Sequence, residues 1–266
     1  MIGALARLLP GPVRRALSRR AATFITSHGY IPFDAARFYA EDGLYTVHDQ
    51  RFRHDPAFRD AYARGVQAGD GVDPHFEWRI HVALWAAATA LGAEGDFVEC
   101  GVNAGFVSSA IMRRLDWVKI PRQYYLVDTF AGPVLAQFSP AELAGGRKEV
   151  VEELIAAGSY VTDVARVRAN FAEWPNAVVV QGAVPDVLPR IPARHVAFLH
   201  VDMNCSAPEC AAVDYFWDRL SKSGVILLDD YAHNEYAEQK EPMDEIVRSR
   251  GGQVLALPTG QGLIVK

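Results

Sequence analysis

From residue 78 onward, short apolar runs alternate with longer amphipathic segments. The apolar runs have the length of buried strands and several end at acidic residues, whereas the segments between them are rich in good helix formers. Strands that alternate with helices along a chain form a parallel sheet with right-handed crossovers. The pattern therefore predicts an α/β domain with a doubly wound, mostly parallel, Rossmann-like sheet.

The predicted elements follow one another closely, apart from a longer polar insertion over residues 132–159. Helices are predicted over 78–92, 106–115, 162–174, 208–220 and 243–250. Strands are predicted over 96–100, 124–128, 178–181, 196–201, 225–228, 254–257 and 263–265. The last two of these seven strands flank the turn-rich sequence PTGQG, so we expect them to form an antiparallel C-terminal hairpin at one edge of the sheet.

Residues 1–77 lack this alternation and are predicted to form a helical N-terminal extension, with the α/β domain over 78–266. Within residues 1–20, apolar positions alternate with five arginines, which is typical of an amphipathic segment. Packing on the body or on a second subunit is favoured over peripheral docking on a membrane, because basic amphipathic helices are not specific to membranes. Residues 33–71 are aromatic and charged without strand-like alternation, and we expect a helical cap beside the site.

Composition narrows the classes of function. With 266 residues, of which 50% are hydrophobic, the chain can bury one substantial core. A formal net charge of -5 argues against a general nucleic-acid binder, which would carry a basic face. Three cysteines without a C-x-x-C pair indicate neither a disulfide framework nor a zinc site, and no apolar run approaches the length of a membrane span. We therefore expect a cytoplasmic protein that acts on a small molecule.

Two of the predicted strands end in features suited to a nucleoside cofactor. The turn ECGVNAG over 99–105 joins the first strand to a helix, and its glycines would let a ligand approach the backbone closely. Asp128 ends the second strand, where folds of this class bind ribose hydroxyls. NAD and S-adenosylmethionine both fit this pair. The absence of G-x-G-x-x-G and the terminal hairpin favour S-adenosylmethionine.

Three aspartates end the two neighbouring strands over 196–201 and 225–228. Asp202, Asp229 and Asp230 would repel one another unless a cation neutralised them, and an all-oxygen set suits Mg²⁺, Mn²⁺ or Ca²⁺. Asp229 and Asp230 can share an ion only if the strand ends before them, because neighbouring residues on a strand point to opposite faces. Alternatively, one of them caps the following loop. Without an ion, neutralising the cluster is expected to raise thermal stability.

The motifs VECGVNAGF, YLVDTFAG, VQGAVPDVLP, VAFLHVDMN and GVILLDDY resemble, in this order, those of the class I S-adenosylmethionine-dependent methyltransferases. Within that fold, residues 78–266 most resemble the macrocin O-methyltransferase (TylF/MycF-type) family. The resemblance implies Mg²⁺-dependent methylation of a sugar hydroxyl of a natural product. Family members commonly carry Asp-Gly-Asp and a following tyrosine where this chain has Asp202-Met203-Asn204-Cys205-Ser206, so the acceptor pocket departs from the family pattern.

The resemblance also implies which residues form the site. The cofactor residues are Glu99, Gly101 and Asn103 for the methionine moiety, Asp128 for the ribose, Gln181, Gly182 and Ala183 for the adenine, and also Gly105, Thr129 and Asp202. The metal residues are Asp202, Asp229 and Asp230.

Methyl transfer from a sulfonium to an alcohol needs the oxygen deprotonated and in line with the methyl group. Asp202 is the first candidate for proton acceptor, and His233 is the second because imidazole titrates near neutrality. We interpret His200, in a buried strand, as a core residue. Two alternatives stay open: a metal-independent methyltransferase of another small molecule, and an NAD-dependent oxidoreductase. Assembly into a homo-oligomer also stays open.

Overall fold

The structure is a computed structural model and describes residues 39–266, so the predicted amphipathic segment 1–20 and part of the predicted cap lie outside the described residues. The described residues divide into two units, with the boundary between Phe52 and Arg53. In the first unit, β1 (Tyr39–Glu41) and β2 (Leu44–Thr46) form an antiparallel hairpin. The prediction of a purely helical cap is wrong here. Asp42 and Gly43 both have positive φ, as a two-residue hairpin turn requires, and an Asp-Gly pair is typical of such a turn.

The second unit contains a seven-stranded sheet in the order β5-β4-β3-β6-β7-β9-β8. Neighbours from β5 to β7 pair in parallel, and β9 pairs antiparallel with both β7 and β8. This confirms the predicted doubly wound sheet and its terminal hairpin. The strands are β3 (Asp96–Cys100), β4 (Tyr124–Asp128), β5 (Ala177–Gln181), β6 (Val196–Val201), β7 (Leu220–Leu228), β8 (Leu255–Ala256) and β9 (Gly262–Val265).

Helices connect the strands, and short 3-10 turns lie between them. The helices are α1 (Pro56–Ala68), α2 (Glu77–Ala90), α3 (Phe106–Leu115), α4 (Pro140–Ala144), α5 (Arg147–Ala156), α6 (Val164–Asn170), α7 (Ser206–Trp217) and α8 (Ala237–Ser249). The 3-10 turns are Arg51–His54, Trp117–Lys119, Leu135–Gln137, Leu188–Arg190 and Asn234–Tyr236. The insertion predicted over 132–159 thus contains two helices. Ser139 begins the first of them through a reciprocal capping box with Glu142.

The core lies on both faces of the central strands. All six residues of β6 are buried, as expected for a parallel strand covered by helices on both sides. On one side of the sheet, helix α1 packs on α3, where Gly65 allows the close approach because a Cβ there would lie 2.9 Å from the Phe106 ring. Helix α1 therefore belongs to the same compact unit as the sheet. In the described part of the chain, no helix has the length and apolar character needed to cross a membrane.

Candidate active site

Strand order brings the predicted site residues to one edge of the sheet. Strands β3 and β6 are neighbours at the point where the order reverses, and the carboxyl ends of parallel strands at such a point form the ligand crevice. Gly101 follows β3 and Asp202 follows β6, and the Asp202 amide donates to the Cys100 carbonyl at 2.8 Å. The Asp229 amide donates in turn to the Val201 carbonyl at 2.9 Å. The parallel ladder thus holds these residues side by side.

The turn after β3 needs glycine at its first position. Gly101 has a φ of +93°, and a Cβ there would lie 1.7 Å from the carbonyl oxygen of Asp202. The close approach of two strand ends, as well as backbone conformation, therefore demands glycine. The Asn103 side chain ties the turn to the segment after α5, since its Nδ2 donates to the Ser159 carbonyl at 2.9 Å and its Oδ1 accepts from the Val161 amide at 2.8 Å.

The carboxylate of Asp128 holds this same turn. Its Oδ2 accepts hydrogen bonds from the amides of Val102 and Asn103, both at 2.8 Å, and its Oδ1 accepts from the Phe130 amide at 2.7 Å. Three of its four acceptor positions are therefore engaged by backbone amides. The Thr129 hydroxyl also lies 3.3 Å from Oδ1, so Asp128 shapes the glycine turn through contacts within the protein.

Two cavities open along this edge. The smaller, of about 100 Å³, is lined by Asp128, Thr129, Gln137 and Gly182, among others. The larger, of about 560 Å³, is lined by Arg79, Glu99, Phe106 and Asp229, among others. Gly101, Asn103 and Asp202 line both, so they form the wall that the two cavities share.

The predicted cofactor residues divide between these cavities. Asp128, Thr129 and Gly182 line the smaller one and Glu99 the larger, in addition to the three shared residues. Gly105, Gln181 and Ala183 line neither. Gly105 caps α3, and a Cβ on it would clash with Phe171 at 2.5 Å, whereas the Gln181 side chain is exposed and donates to the Thr129 carbonyl at 3.3 Å.

The three predicted metal residues converge. Asp202, Asp229 and Asp230 each offer one carboxylate oxygen, and these oxygens all lie within 4.8 Å of one another. Strand β7 ends at Leu228, so the two neighbouring aspartates lie beyond the strand and can face the same point. Burial, together with the charges of Asp229 and Asp230, raises the pKa of Asp202 well above its usual value.

Arg79 supplies a positive charge that the sequence did not assign to the cluster. Its Nη1 donates to Asp229 Oδ2 at 2.7 Å and to Asp230 Oδ1 at 3.0 Å, and the guanidinium is almost fully buried. The pKa of Asp229 falls below its usual value because the neighbouring charges of Arg79 and His200 outweigh the effect of burial. The pKa of Asp230 rises to about 6, because burial and the Asp229 charge outweigh Arg79.

His200 lies between Glu99, at the end of β3, and Asp229, after β7. Its Nδ1 is 3.5 Å from Glu99 Oε1 and its Nε2 is 3.7 Å from Asp229 Oδ1, and the side chain is fully buried. Burial alone would lower its pKa, but the two carboxylates raise it to about 10. Tyr124 donates its hydroxyl to Glu99 Oε2 at 3.1 Å. His200 is thus buried, as interpreted from the sequence, and it bridges Glu99 and Asp229.

Three side chains lie near the acidic cluster: Arg147, Tyr160 and Tyr236. The Arg147 guanidinium lies over the Tyr236 ring, 3.8 Å from its centroid, and Tyr160 lines the smaller cavity. Burial, with the charges of Asp202 and Asp230, raises the pKa of Tyr160 to about 12. No spacing in the sequence signalled these residues, because the chain brings them together only through tertiary packing.

His233 lies beside the cluster without lining either cavity. Its backbone amide donates to the Asp230 carbonyl at 3.1 Å, and its ring contacts Tyr236 edge-on at 5.6 Å between centroids. Its charge lowers the pKa of Asp230 only as a minor contribution. Asp202 thus lines both cavities, whereas His233 lines neither.

The family model of the Macrocin-O-methyltransferase (TylF) family matches residues 81–245, more than half of the chain. A comparison with curated protein sequences gives no significant match. Among solved structures, the O-methyltransferase NovP is similar, with 20% identity, a TM-score of 0.57, and coverage of 71% of this chain and 79% of NovP. The calicheamicin methyltransferase CalS11 has 15% identity and a TM-score of 0.54, with coverage of 82% of this chain and 94% of CalS11. At such identities these structures show the shared fold alone.

Family and site agree, because the matched region contains the glycine turn, Asp128 and all three aspartates of the cluster. The chain therefore belongs to the macrocin O-methyltransferase (TylF) family and is a class I S-adenosylmethionine-dependent O-methyltransferase.

Proposed function

We propose that this enzyme methylates a hydroxyl of a sugar or glycosylated natural product, with a divalent metal ion, Mg²⁺, held by Asp202, Asp229 and Asp230. The name of the family supports a glycosylated acceptor. The apo structure of CalS11, described as a TDP-rhamnose 3′-O-methyltransferase, supports it further, with a TM-score of 0.51 and 15% identity. The observation that carries the proposal is the convergence of three carboxylates, of which Asp202 lines both cavities and Asp229 lines the larger one.

The residues present fit a hard divalent cation. Three carboxylate oxygens within 4.8 Å of one another form an all-oxygen set, which Mg²⁺ prefers. Ionising Asp202 beside two other aspartates is unfavourable, so a cation at this point would stabilise the charged form. When bound there, the ion would lower the pKa of the acceptor hydroxyl.

Asp202 is suited to accept the proton of that hydroxyl. Its Oδ1 accepts from Asn204 Nδ2 at 3.0 Å, which fixes the orientation of the carboxylate, and the group lies on the wall between the two cavities. In the reaction, the acceptor oxygen bonds to the methyl carbon while the carbon–sulfur bond breaks. The hydroxyl proton passes to Asp202, and S-adenosylhomocysteine leaves.

The acceptor is proposed to lie against Arg147, Tyr160 and Tyr236. These side chains come from α5, from the segment after it and from the turn Asn234–Tyr236, all beside the acidic cluster. Phenol hydroxyls and a guanidinium can hydrogen-bond to the many oxygens of a sugar, and an aromatic ring packs on its apolar face. This wall would orient the reacting hydroxyl toward Asp202.

Mass spectrometry of reactions with S-adenosylmethionine, Mg²⁺ and candidate glycosylated acceptors tests the function. We expect the acceptor to gain the mass of one methyl group, EDTA to abolish the gain, and added Mg²⁺ to restore it. Asp202→Asn should abolish transfer with cofactor binding retained, because the backbone at this position would still lie against Gly101. Asp186→Asn, at an exposed position, is the control and should leave transfer unchanged.

Full transfer after chelation, with the absence of metal shown by elemental analysis, would contradict the metal assignment. The acidic cluster would then be structural, and Asp202 or His233 would act as a base without a metal. Transfer only to acceptors that carry no sugar would contradict the proposed substrate class.

A further inference from the structure

Arg79 donates hydrogen bonds to two of the three aspartates of the acidic cluster. Its Nη1 donates to one carboxylate oxygen of each neighbouring aspartate, Asp229 Oδ2 and Asp230 Oδ1, and also to the Asp229 carbonyl at 3.1 Å. Gln261 Nε2 donates to the other oxygen, Asp229 Oδ1, at 3.0 Å. Both oxygens of the Asp229 carboxylate therefore accept hydrogen bonds within the protein.

The guanidinium is enclosed where it lies. Helix α2, which carries Arg79 in its first turn, packs against β7. The Phe76 ring lies 5.5 Å from the guanidinium carbon, and a Cβ on Gly260 would lie 3.6 Å from Nη2. A buried cation in such a position stays charged because guanidinium groups do not lose their proton in proteins. The cluster thus contains a permanent positive charge of its own.

A divalent ion at this cluster would compete with hydrogen bonds at Asp229, because Arg79 and Gln261 already donate to its two carboxylate oxygens. Arg79 also donates to Asp230 Oδ1, and the guanidinium repels a second cation at a distance of a few ångströms. We propose that Arg79 is an internal counter-ion that keeps the cluster assembled without metal and weakens its affinity for a divalent ion. This inference rests on the metal site of the proposed function.

Consequently, Arg79 is a positioning residue that sets how readily the ion is gained and lost. A simple structural ion pair would predict the opposite effect, because its loss would disorder the carboxylates and weaken metal binding. The two hypotheses therefore predict opposite changes in the affinity for the ion when Arg79 is replaced.

The test compares Mn²⁺ binding by calorimetry in the full-length enzyme and in Arg79→Gln and Arg79→Lys, without cofactor or acceptor. Arg79→Gln removes the charge but keeps a hydrogen-bond donor, and we expect Mn²⁺ to bind at least about tenfold more tightly than to the wild-type enzyme. Arg79→Lys keeps the charge and should bind Mn²⁺ with an affinity close to that of the wild type. Mn²⁺ should also raise the Tm of Arg79→Gln more than that of the wild type.

Arg250→Gln is the matched control. Arg250 also pairs with two aspartates, Asp214 and Asp218, but at an exposed site, so its loss should leave Mn²⁺ affinity unchanged. If Arg79→Gln does not fold without metal, it can be purified with Mn²⁺ and its affinity obtained by competition with a chelator.

Each outcome decides the question. Tighter binding to Arg79→Gln, or binding to Arg79→Gln alone, supports the inference. Wild-type binding with equal or weaker binding to Arg79→Gln overturns the inference and leaves the metal site standing. Absence of Mn²⁺ binding in every variant overturns both the metal site and the role of Arg79.

Discussion

At the scale of single residues, Gly101 is the most constrained position of the site. Replacing it with alanine places a methyl group 1.7 Å from the Asp202 carbonyl oxygen, in a backbone conformation that disfavours side chains. We expect Gly101→Ala to lower the free energy of unfolding by more than about 3 kcal/mol, because strain and overpacking add. Urea denaturation measures this, and calorimetry should show loss of S-adenosylmethionine binding.

The control for Gly101→Ala is Gly251→Ala. Gly251 also has a positive φ, of +74°, but a Cβ there would meet nothing within 4 Å. Gly251→Ala should lower the free energy of unfolding by only about 1 kcal/mol, which is the cost of the backbone conformation alone. Equal losses for the two variants would show that the close approach of the strand ends does not matter.

A change at Asp128 should have two effects. Asp128→Ala removes the acceptor of three backbone amides, so we expect the cofactor-free protein to lose about 1–3 kcal/mol of stability. S-adenosylmethionine affinity should also fall by about tenfold or more, because the cofactor turn loses its support. If Asp128 contacted only the ribose, affinity would fall while the Tm of the free protein stayed unchanged.

The sequence identified the acidic residues but not their partners. Asp128 and the three clustered aspartates lie at strand ends that the apolar pattern locates, so the pattern predicts that they meet at the carboxyl ends of the strands. Arg79 and Arg147 could not be found in this way, because each lies on a helix and reaches the site only through tertiary packing. The backbone amide partners of Asp128 are invisible in a sequence, and its contact with the ribose stays a prediction.

At the scale of elements, two loops wall the larger cavity. The segments 69–76 and 158–161 both line it, and Arg166 joins α6 to the first segment through an ion pair with Asp70 at 2.8 Å. We expect S-adenosylmethionine to slow amide hydrogen exchange in both segments. In Asn103→Ala, protection of 158–161 should be lost because its bonds to Ser159 and Val161 are gone. Unchanged exchange in the wild-type enzyme would contradict closure by these loops.

Element types were predictable where apolar periodicity was strong, and boundaries were less so. Strand β4 and helix α3 match their predicted bounds. Helix α8 begins at Ala237, six residues before the predicted start, because the helix continues through Pro242 at the loss of one backbone hydrogen bond. Strand β7 begins at Leu220 through irregular pairing around polar residues, which a pattern of buried side chains does not detect.

At the scale of the whole molecule, the buried charges of the cluster contribute to stability. The sequence predicted that Asp229→Asn with Asp230→Asn would stabilise the metal-free protein. The structure reverses this expectation, because the double change leaves the buried Arg79 guanidinium without its carboxylates. We expect the metal-free variant to lose about 3 kcal/mol or more of its free energy of unfolding, measured by denaturant unfolding.

The control is the exposed pair Asp214→Asn with Asp218→Asn, which removes the partners of Arg250 and should cost less than about 1 kcal/mol. A higher Tm for Asp229→Asn with Asp230→Asn than for the wild type would show that repulsion among the carboxylates outweighs their attraction to Arg79.

The order of strands in the sheet also divides the site between two halves of the gene. The glycine turn and Asp128 are encoded before residue 130, whereas the acidic cluster follows β6 and β7 in the last third of the chain. The two parts meet at the border between β3 and β6, and Arg79 reaches the acidic cluster from α2. Evolution, or an engineer who exchanges the later loops, could therefore change the molecule that receives the methyl group while the apparatus that delivers it is inherited intact.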